Sequence, residues 1–75
     1  MVLDVNASIR LVGELRRSGV KVVSYWLRPD HIVCMLSSIS DMGNVAGWVA
    51  RGYVIIDGQY YRVERSGIKY ITLSL

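Results

Sequence analysis

An Asp-Gly pair near the end of the chain is the sequence feature that most constrains the fold. Asp57-Gly58 separates a β-branched run, residues 53–56, from a run rich in Tyr and Arg, residues 59–65. A two-residue hairpin turn needs positive φ at both central residues, and Asp-Gly is among the pairs that tolerate it. The sequence therefore predicts an antiparallel hairpin. Ser66-Gly67 predicts a second turn, followed by a final strand to about residue 74.

The N-terminal part of the chain predicts a helix followed by a short strand. Asn6 can cap the free backbone N–H groups at the start of helix 1, over residues 6–18. Apolar residues follow at helical spacing, and Gly19 can end the helix in a left-handed conformation. The β-branched residues at 20–25 then predict a strand.

Two further helices are predicted between this strand and the hairpin. Pro29-Asp30 is a helix-start signal, because Pro suits the first helical position and an acid there favours the helix dipole. Apolar residues follow at i, i+3, i+4 and i+7, which predicts helix 2 over residues 29–38. A short polar break leads to helix 3 over residues 41–51, with Gly52 at its end. The predicted fold class is α+β, with three helices and a small antiparallel sheet in one domain, residues 1–75.

This order of elements resembles the winged helix-turn-helix family. Residues 29–63 carry the resemblance. Ile39 lies where the family has an apolar anchor between two helices, and residues 49–54 match the Arg-Gly ending of its recognition helix. Minimal forms are similar to small regulators of archaeal viruses and plasmids. The resemblance implies a sequence-specific double-stranded DNA-binding protein, a transcription regulator, with helix 3 in the major groove and a basic wing on the phosphate backbone.

Candidate DNA contacts lie on the stripe of helix 3 opposite its apolar face. Asn is the residue type that reads adenine in the major groove, and Arg the type that reads guanine. The stripe consists of Asp41, Asn44, Gly47 and Arg51. Phosphate contacts from the wing are assigned to Arg62, Arg65 and Lys69. Extra backbone contacts are assigned to the basic cluster Arg16, Arg17 and Lys21, although cations at a helix C-terminus need no ligand to explain them.

Three alternatives stay open at this level. The wing can turn at Asp57-Gly58, which has the stronger turn signal, or at Ser66-Gly67, which places Arg65 and Lys69 beside the tip. The domain can instead serve protein–protein contact or form a subunit of a larger assembly, because a fold does not fix a function. Base stacking is a further role for the tyrosines that interleave with cations, although strand tyrosines more often pack. They are Tyr25, Tyr53, Tyr60, Tyr61 and Tyr70.

Composition limits the remaining classes of function. The net charge is +3, and seven of the nine cationic residues are Arg, which binds phosphate and guanine in a bidentate manner. Cys34 is the single cysteine, so no intramolecular disulfide forms, and no Cys/His set has zinc spacing. His31 and Cys34 are three apart, but a third group is missing for a metal site or for catalysis. We therefore expect no enzyme, no metal, no cofactor and no small-molecule ligand.

The apolar content predicts association. A chain of 75 residues that is 52% hydrophobic and has no disulfide or metal staple often oligomerises, and the final strand would be an apolar edge unless another chain covers it. We therefore expect a homodimer.

A membrane-spanning segment needs roughly 20 apolar residues, which this sequence lacks, and Met1 is not followed by a basic signal-peptide start. These features predict a cytoplasmic protein without membrane contact.

Overall fold

The computed structural model describes residues 2–75, which contain two α-helices, a 3₁₀ segment and one five-stranded antiparallel sheet. The strands lie in the order β1-β2-β5-β4-β3, and every neighbouring pair is antiparallel. In chain order the elements are α1 (Val5–Arg17), β1 (Val22–Leu27), β2 (His31–Leu36), the 3₁₀ segment (Ile39–Val45), α2 (Ala46–Arg51), β3 (Tyr53–Ile56), β4 (Gln59–Gly67) and β5 (Tyr70–Ser74).

The prediction of a three-helix winged helix-turn-helix fold is wrong. Residues 29–38, predicted as helix 2, form a tight turn and strand β2. Pro29 lies at the second position of this turn, where its fixed φ is favourable, and the Arg28 N–H donates to the His31 carbonyl at 2.9 Å. The run from Ile32 to Leu36 is apolar at every position, so a strand period fits it as well as a helical one. Hydrogen bonding to β1 on one side and to β5 on the other stabilises this segment as a strand and not as a helix.

The predicted recognition helix is also not a continuous α-helix. Its first part lies in the 3₁₀ segment, and α2 is six residues long, fewer than two turns. Gly43 and Gly47 each lower helix propensity by about 1 kcal/mol relative to Ala. Gly52 ends α2 with a φ of 84°, in the left-handed region. This part of the chain therefore presents no long helix to a DNA groove.

Helix α1 has the predicted left-handed end but a different start. Asp4, and not Asn6, is its N-cap, with Oδ1 accepting from the Ala7 N–H at 2.8 Å. At the other end Gly19 has a φ of 88°. The following N–H, of Val20, donates to the Leu15 carbonyl at 3.1 Å, as in a Schellman motif.

The core lies between the sheet and the helical layer. Helix α1 contacts β1, the 3₁₀ segment contacts β2, and α2 contacts β3 and β4. Fully burying a Leu or Ile side chain contributes about 1.5–3 kcal/mol. The largest fully buried side chains are Leu11, Leu15, Ile32, Leu36, Ile71 and Leu73.

The C-terminal strands correct two further predictions. Asp57 and Gly58 have the positive φ values predicted for the first turn, 51° and 78°. The second turn lies at Ile68-Lys69, because β4 continues through Gly67. Strand β5 has the predicted alternation, but it is a central strand between β2 and β4. The argument for a homodimer from an uncovered final strand is therefore wrong.

The helices also bear on membrane contact. Across residues 2–75, neither α-helix is long and apolar enough to cross a lipid bilayer.

Candidate functional site

The face of the sheet opposite the helical layer carries large side chains that are exposed or half-buried. Directly paired residues of antiparallel strands share a face, and the registers place Trp26 opposite Val33 and Tyr53 opposite Arg62. We call this surface the open face. It consists of Ser24, Trp26, His31, Val33, Met35, Tyr53, Ile55, Tyr60, Arg62, Glu64, Tyr70, Thr72 and Ser74.

One end of the open face carries a stack of an arginine and two tyrosines. The rings of Tyr53 and Tyr60 are stacked, with centroids 5.3 Å apart and planes 16° apart. The guanidinium carbon of Arg51 lies 5.4 Å from the centroid of the Tyr53 ring, and Nε donates to the Tyr53 carbonyl at 3.3 Å. The left-handed Gly52 turns the chain from α2 directly into β3, which holds this arginine over the sheet. We call this group the arginine–tyrosine stack.

The other end of the open face is concave. Trp26 and Tyr70 lean toward each other across β2, with ring centroids 6.2 Å apart and planes 38° apart. The Tyr70 hydroxyl donates to the Met35 sulfur at 3.2 Å, which orients the ring. A cleft of about 400 Å³ results, lined by Trp26, Arg28, His31, Val33 and Tyr70. We call it the Trp26 cleft, and its volume falls in the range of small-ligand sites, about 300–1,000 Å³.

The polar groups of this cleft lie at the turn between β1 and β2. His31 Nδ1 lies 2.7 Å from Asp30 Oδ1, and this hydrogen bond is the main reason that the pKa of Asp30 is below its ordinary value. An ionised carboxylate only accepts, so Nδ1 carries the proton and Nε2 is the remaining polar atom of the ring. Arg28 Nη1 donates to the Leu27 carbonyl at 3.0 Å. Among residues 2–75 no carboxylate pairs with Arg28.

Between these two ends lies a single ion pair. Arg62 Nε and Glu64 Oε1 are 3.7 Å apart on neighbouring open-face positions of β4, and both side chains are exposed. An exposed pair of this kind contributes little to stability. It leaves Arg62 free to exchange its partner for another anion.

The predicted stripe of helix 3 does not form one surface. Asp41 Oδ2 accepts from the Ser37 hydroxyl at 2.7 Å and from the Lys21 N–H at 3.4 Å. Asn44 Nδ2 donates to the Gly19 carbonyl at 3.0 Å. Both side chains therefore hold the 3₁₀ segment against the turn after α1. Gly47 is exposed on α2, and Arg51, the last residue of α2, lies over the Tyr53 ring of the open face.

The predicted wing residues lie on three different surfaces. Arg62 belongs to the open face, whereas Arg65 lies on the opposite face of β4 and donates to the Gly67 and Ile68 carbonyls, each at 3.1 Å. It lines another cleft, of about 370 Å³, beside the 3₁₀ segment and α2. Lys69 lies in the turn between β4 and β5.

The basic cluster near the end of α1 is partly used within the fold. Arg17 pairs with Glu14 at 3.2 Å, and Arg16 Nη2 lies 3.5 Å from the Val22 carbonyl. Lys21 is exposed, but its backbone N–H is the donor to Asp41. These cations lie away from the open face, so they do not extend its charge.

Sequence reasoning missed the Trp26 cleft. Arg28 and Trp26 were not assigned to a site, and His31 was paired with Cys34. In a strand, residues three apart point to opposite faces. His31 is on the open face, whereas Cys34 is fully buried, and this burial raises the pKa of its thiol to about 12. Within the described part of the chain, no group of three His, Cys, Asp or Glu residues could hold a metal ion. The available signal was that Ser24 and Trp26 are two residues apart, so in a strand they point to the same face.

Comparison with known proteins adds no assignment: no family model, curated protein or solved structure matches this chain.

Proposed function

We propose that this protein binds single-stranded nucleic acid on the open face. The observation that carries the proposal is the pair of aromatic groups on one uncovered sheet surface, each beside an arginine: Arg51 at the arginine–tyrosine stack and Arg28 at the Trp26 cleft. Stacking of a base on an aromatic side chain contributes about 1–3 kcal/mol. Arginine adds phosphate contact and cation–π attraction. A flexible single strand of nucleic acid can place its bases on the aromatic side chains and its phosphates beside arginines at the same time.

The arrangement favours a single strand over a duplex. Bases in a duplex are stacked on one another, so aromatic rings on a flat sheet need bases that are splayed out. The six-residue helix α2 presents no recognition helix of the kind predicted from the sequence. Binding of double-stranded DNA by a transcription regulator stays a prediction, and a duplex in the same assay tests it.

A protein partner is the competing occupant of the open face. Ile55 is exposed on β3, and an apolar side chain there would suit a second copy of the chain or another protein. The arginines favour nucleic acid, because its phosphates supply an anion for each of them, whereas Glu64 is the one carboxylate named among the open-face residues.

The test is fluorescence anisotropy of labelled strands of about 12 nucleotides, within the span of known single-strand sites. Mixed-sequence DNA, RNA and the matching duplex are titrated with protein at several salt concentrations. We expect the single strands to bind more tightly than the duplex. Phosphate contacts from Arg51 and Arg62 predict a slope of log K against log salt of about −1.4.

Two matched tyrosines locate the binding surface. Tyr53→Ala removes the centre of the arginine–tyrosine stack, and we expect affinity to fall by about 1–3 kcal/mol. Tyr25→Ala removes an exposed tyrosine paired with Cys34 on the helical side of the sheet, and affinity should not change. Tighter binding to the duplex, or no binding at low salt with tens of micromolar protein, would overturn the proposal. Sedimentation of the protein alone then shows whether the chain forms a dimer.

A further inference from the structure

The two ends of the open face differ in what they can recognise. The arginine–tyrosine stack offers flat rings, and the Arg51 guanidinium lies over the Tyr53 ring with Nε on the Tyr53 carbonyl. Arg28 uses Nη1 on the Leu27 carbonyl, which leaves Nε and Nη2 as a pair of donors. Every base has a flat face, so stacking there is tolerant of sequence. The Trp26 cleft is concave and places hydrogen-bonding groups at the edge of an aromatic wall. The hydrogen-bonding edge of a base can therefore be recognised in the Trp26 cleft, whereas the arginine–tyrosine stack recognises the flat face of a base.

We infer that the Trp26 cleft is a subsite for one guanine base, with the ring against Trp26 and Tyr70 and the O6/N7 edge toward Arg28. The inference rests on the proposed function, because the guanine is expected within a bound strand. Guanine presents two neighbouring acceptors, O6 and N7, which match the fork of donors of an arginine. Adenine presents an amino donor in place of O6, and a guanidinium has no acceptor to meet it.

His31 supports the choice of guanine from the other side. With the Nδ1 proton shared with Asp30, Nε2 of the neutral ring is an acceptor. Guanine carries an N–H donor, at N1, next to O6, where adenine has an acceptor nitrogen. Uracil and thymine carry a similar N–H beside O4, but they have no N7 for the second bond to Arg28. The aromatic wall made by two residues also favours a two-ring purine over a pyrimidine, because more apolar area is buried.

Trp26 itself provides the readout. The chain has two tryptophans, and Trp48 packs against the core from the helical side. In a Trp48→Phe background, Trp26 is the sole tryptophan, so a change in its emission reports occupation of the cleft. A Trp26→Phe protein serves as the converse control, whose remaining emission should not respond. Circular dichroism confirms that each variant is folded.

The experiment titrates this protein with an oligothymidine strand that carries either one central guanine or one central adenine. Emission of Trp26 and anisotropy of the labelled strand are recorded together. We expect the guanine strand to change Trp26 emission at a concentration about tenfold or more below that of the adenine strand. Arg28→Ala should abolish the difference, and so should Arg28→Lys, which keeps the charge but loses the fork. Equal responses to the two strands, or strand binding without a change in Trp26 emission, would overturn the inference.

Guanosine and adenosine monophosphates distinguish a base in a strand from a free nucleotide, and separate this inference from the proposed function. A selective response to guanosine monophosphate with no binding of any strand would support a guanine site and overturn the proposed function. Strand binding with no guanine preference would do the opposite. No response to nucleotide or strand would overturn both.

Discussion

The two faces of strand β2 show how differently the two sides of the sheet are used. Ile32, Cys34 and Leu36 point to the helical layer and are fully buried. His31, Val33 and Met35 alternate with them and remain half-buried, because no described element covers them. One face of the strand is therefore part of the hydrophobic core. The other carries side chains whose surroundings leave them accessible to a partner.

The composition of the open face does not follow from the needs of the fold. Trp26 is 43% exposed and Tyr60 is 52% exposed, so neither contributes the burial that a core aromatic does. The covered face is mainly aliphatic, with Tyr61 as a buried aromatic residue, whereas the open face has exposed rings beside arginines. Large exposed apolar surface that is mixed with polar groups marks interaction sites. The comparison thus predicts that substitutions on the two faces affect different measurements.

The largest expected effect is the protection of Cys34 on the covered face. The thiolate is the reactive form, and a pKa of about 12 in place of 9.0 lowers its fraction at neutral pH roughly a thousandfold. A disulfide reagent added to the native protein should react far more slowly than with the urea-unfolded chain. Because Cys34 is the single cysteine, absorbance of the released thiol reports this site alone. Rapid reaction in native buffer would show that the helical layer does not seal this face.

A pair of neighbours on β5 tests the comparison through stability. Leu73 is fully buried on the covered face, and Leu73→Ala should lower the free energy of unfolding by about 2–5 kcal/mol. Thr72 lies on the open face, where its hydroxyl donates to the Ser66 hydroxyl at 2.8 Å in an exposed position. Thr72→Ala should cost about 0.5 kcal/mol or less. Urea unfolding of both variants is the measurement, and similar losses would mean that the open face is covered in solution.

Local signals were sufficient for parts of this fold. The Asp57-Gly58 turn was predictable because it needs two residues that tolerate positive φ. The left-handed Gly19 was predictable because a glycine directly after an amphipathic helical pattern commonly ends the helix. Strand β2 was not predictable in the same way. Its partner β5 lies far along the chain, with Met35 paired to Tyr70. A short run that is apolar at all positions fits both helix and strand, and long-range pairing then decides.

The same error hid the candidate site. With residues 29–38 taken as helix 2, Trp26 and His31 could not be placed on one surface with Tyr70. Arg51 and Arg62 were assigned to nucleic acid from the sequence, and both are found at the open face: Arg62 lies on β4, and Arg51, at the end of the short helix α2, lies over the Tyr53 ring. Asn44 instead bonds within the fold. The sequence identified residue types that suit a nucleic-acid ligand. It did not show which of them share one surface, because that depends on the order of the strands in the sheet.

Two adjacent tyrosines sharpen the comparison at the level of binding. Tyr60 lies on the open face and Tyr61 is buried on the other. Tyr60→Ala should weaken single-strand binding by about 1–3 kcal/mol while changing the free energy of unfolding by about 0.5 kcal/mol. Tyr61→Ala should lower stability by about 3–5 kcal/mol, as for other buried aromatic residues. Anisotropy under conditions where both variants are folded separates the effects. If Tyr61→Ala alone weakened binding, the open face would not be the binding surface.

The smallest expected effect is on the acid side of the stability profile. The hydrogen bond from His31 holds the pKa of Asp30 below its ordinary value of 3.8. A carboxyl with a lowered folded-state pKa stabilises the native state above the unfolded value, and this contribution is lost as pH falls through the folded-state pKa. Asp30→Asn should therefore make unfolding less sensitive to acidification below about pH 4. Urea unfolding at a series of pH values measures this change.

Asp57→Asn is the matched control for this titration. It also removes one exposed carboxylate at a turn, but the partner of Asp57 is Arg10, at 3.6 Å, and His31 is untouched. If Asp30→Asn retained the full acid sensitivity of the parent protein, the Asp30–His31 hydrogen bond would not persist in solution. The assignment of the His31 proton to Nδ1, and of Nε2 as the acceptor, would then lose its basis. The smallest effect on the fold thus tests the hydrogen bond on which the chemistry of the Trp26 cleft depends.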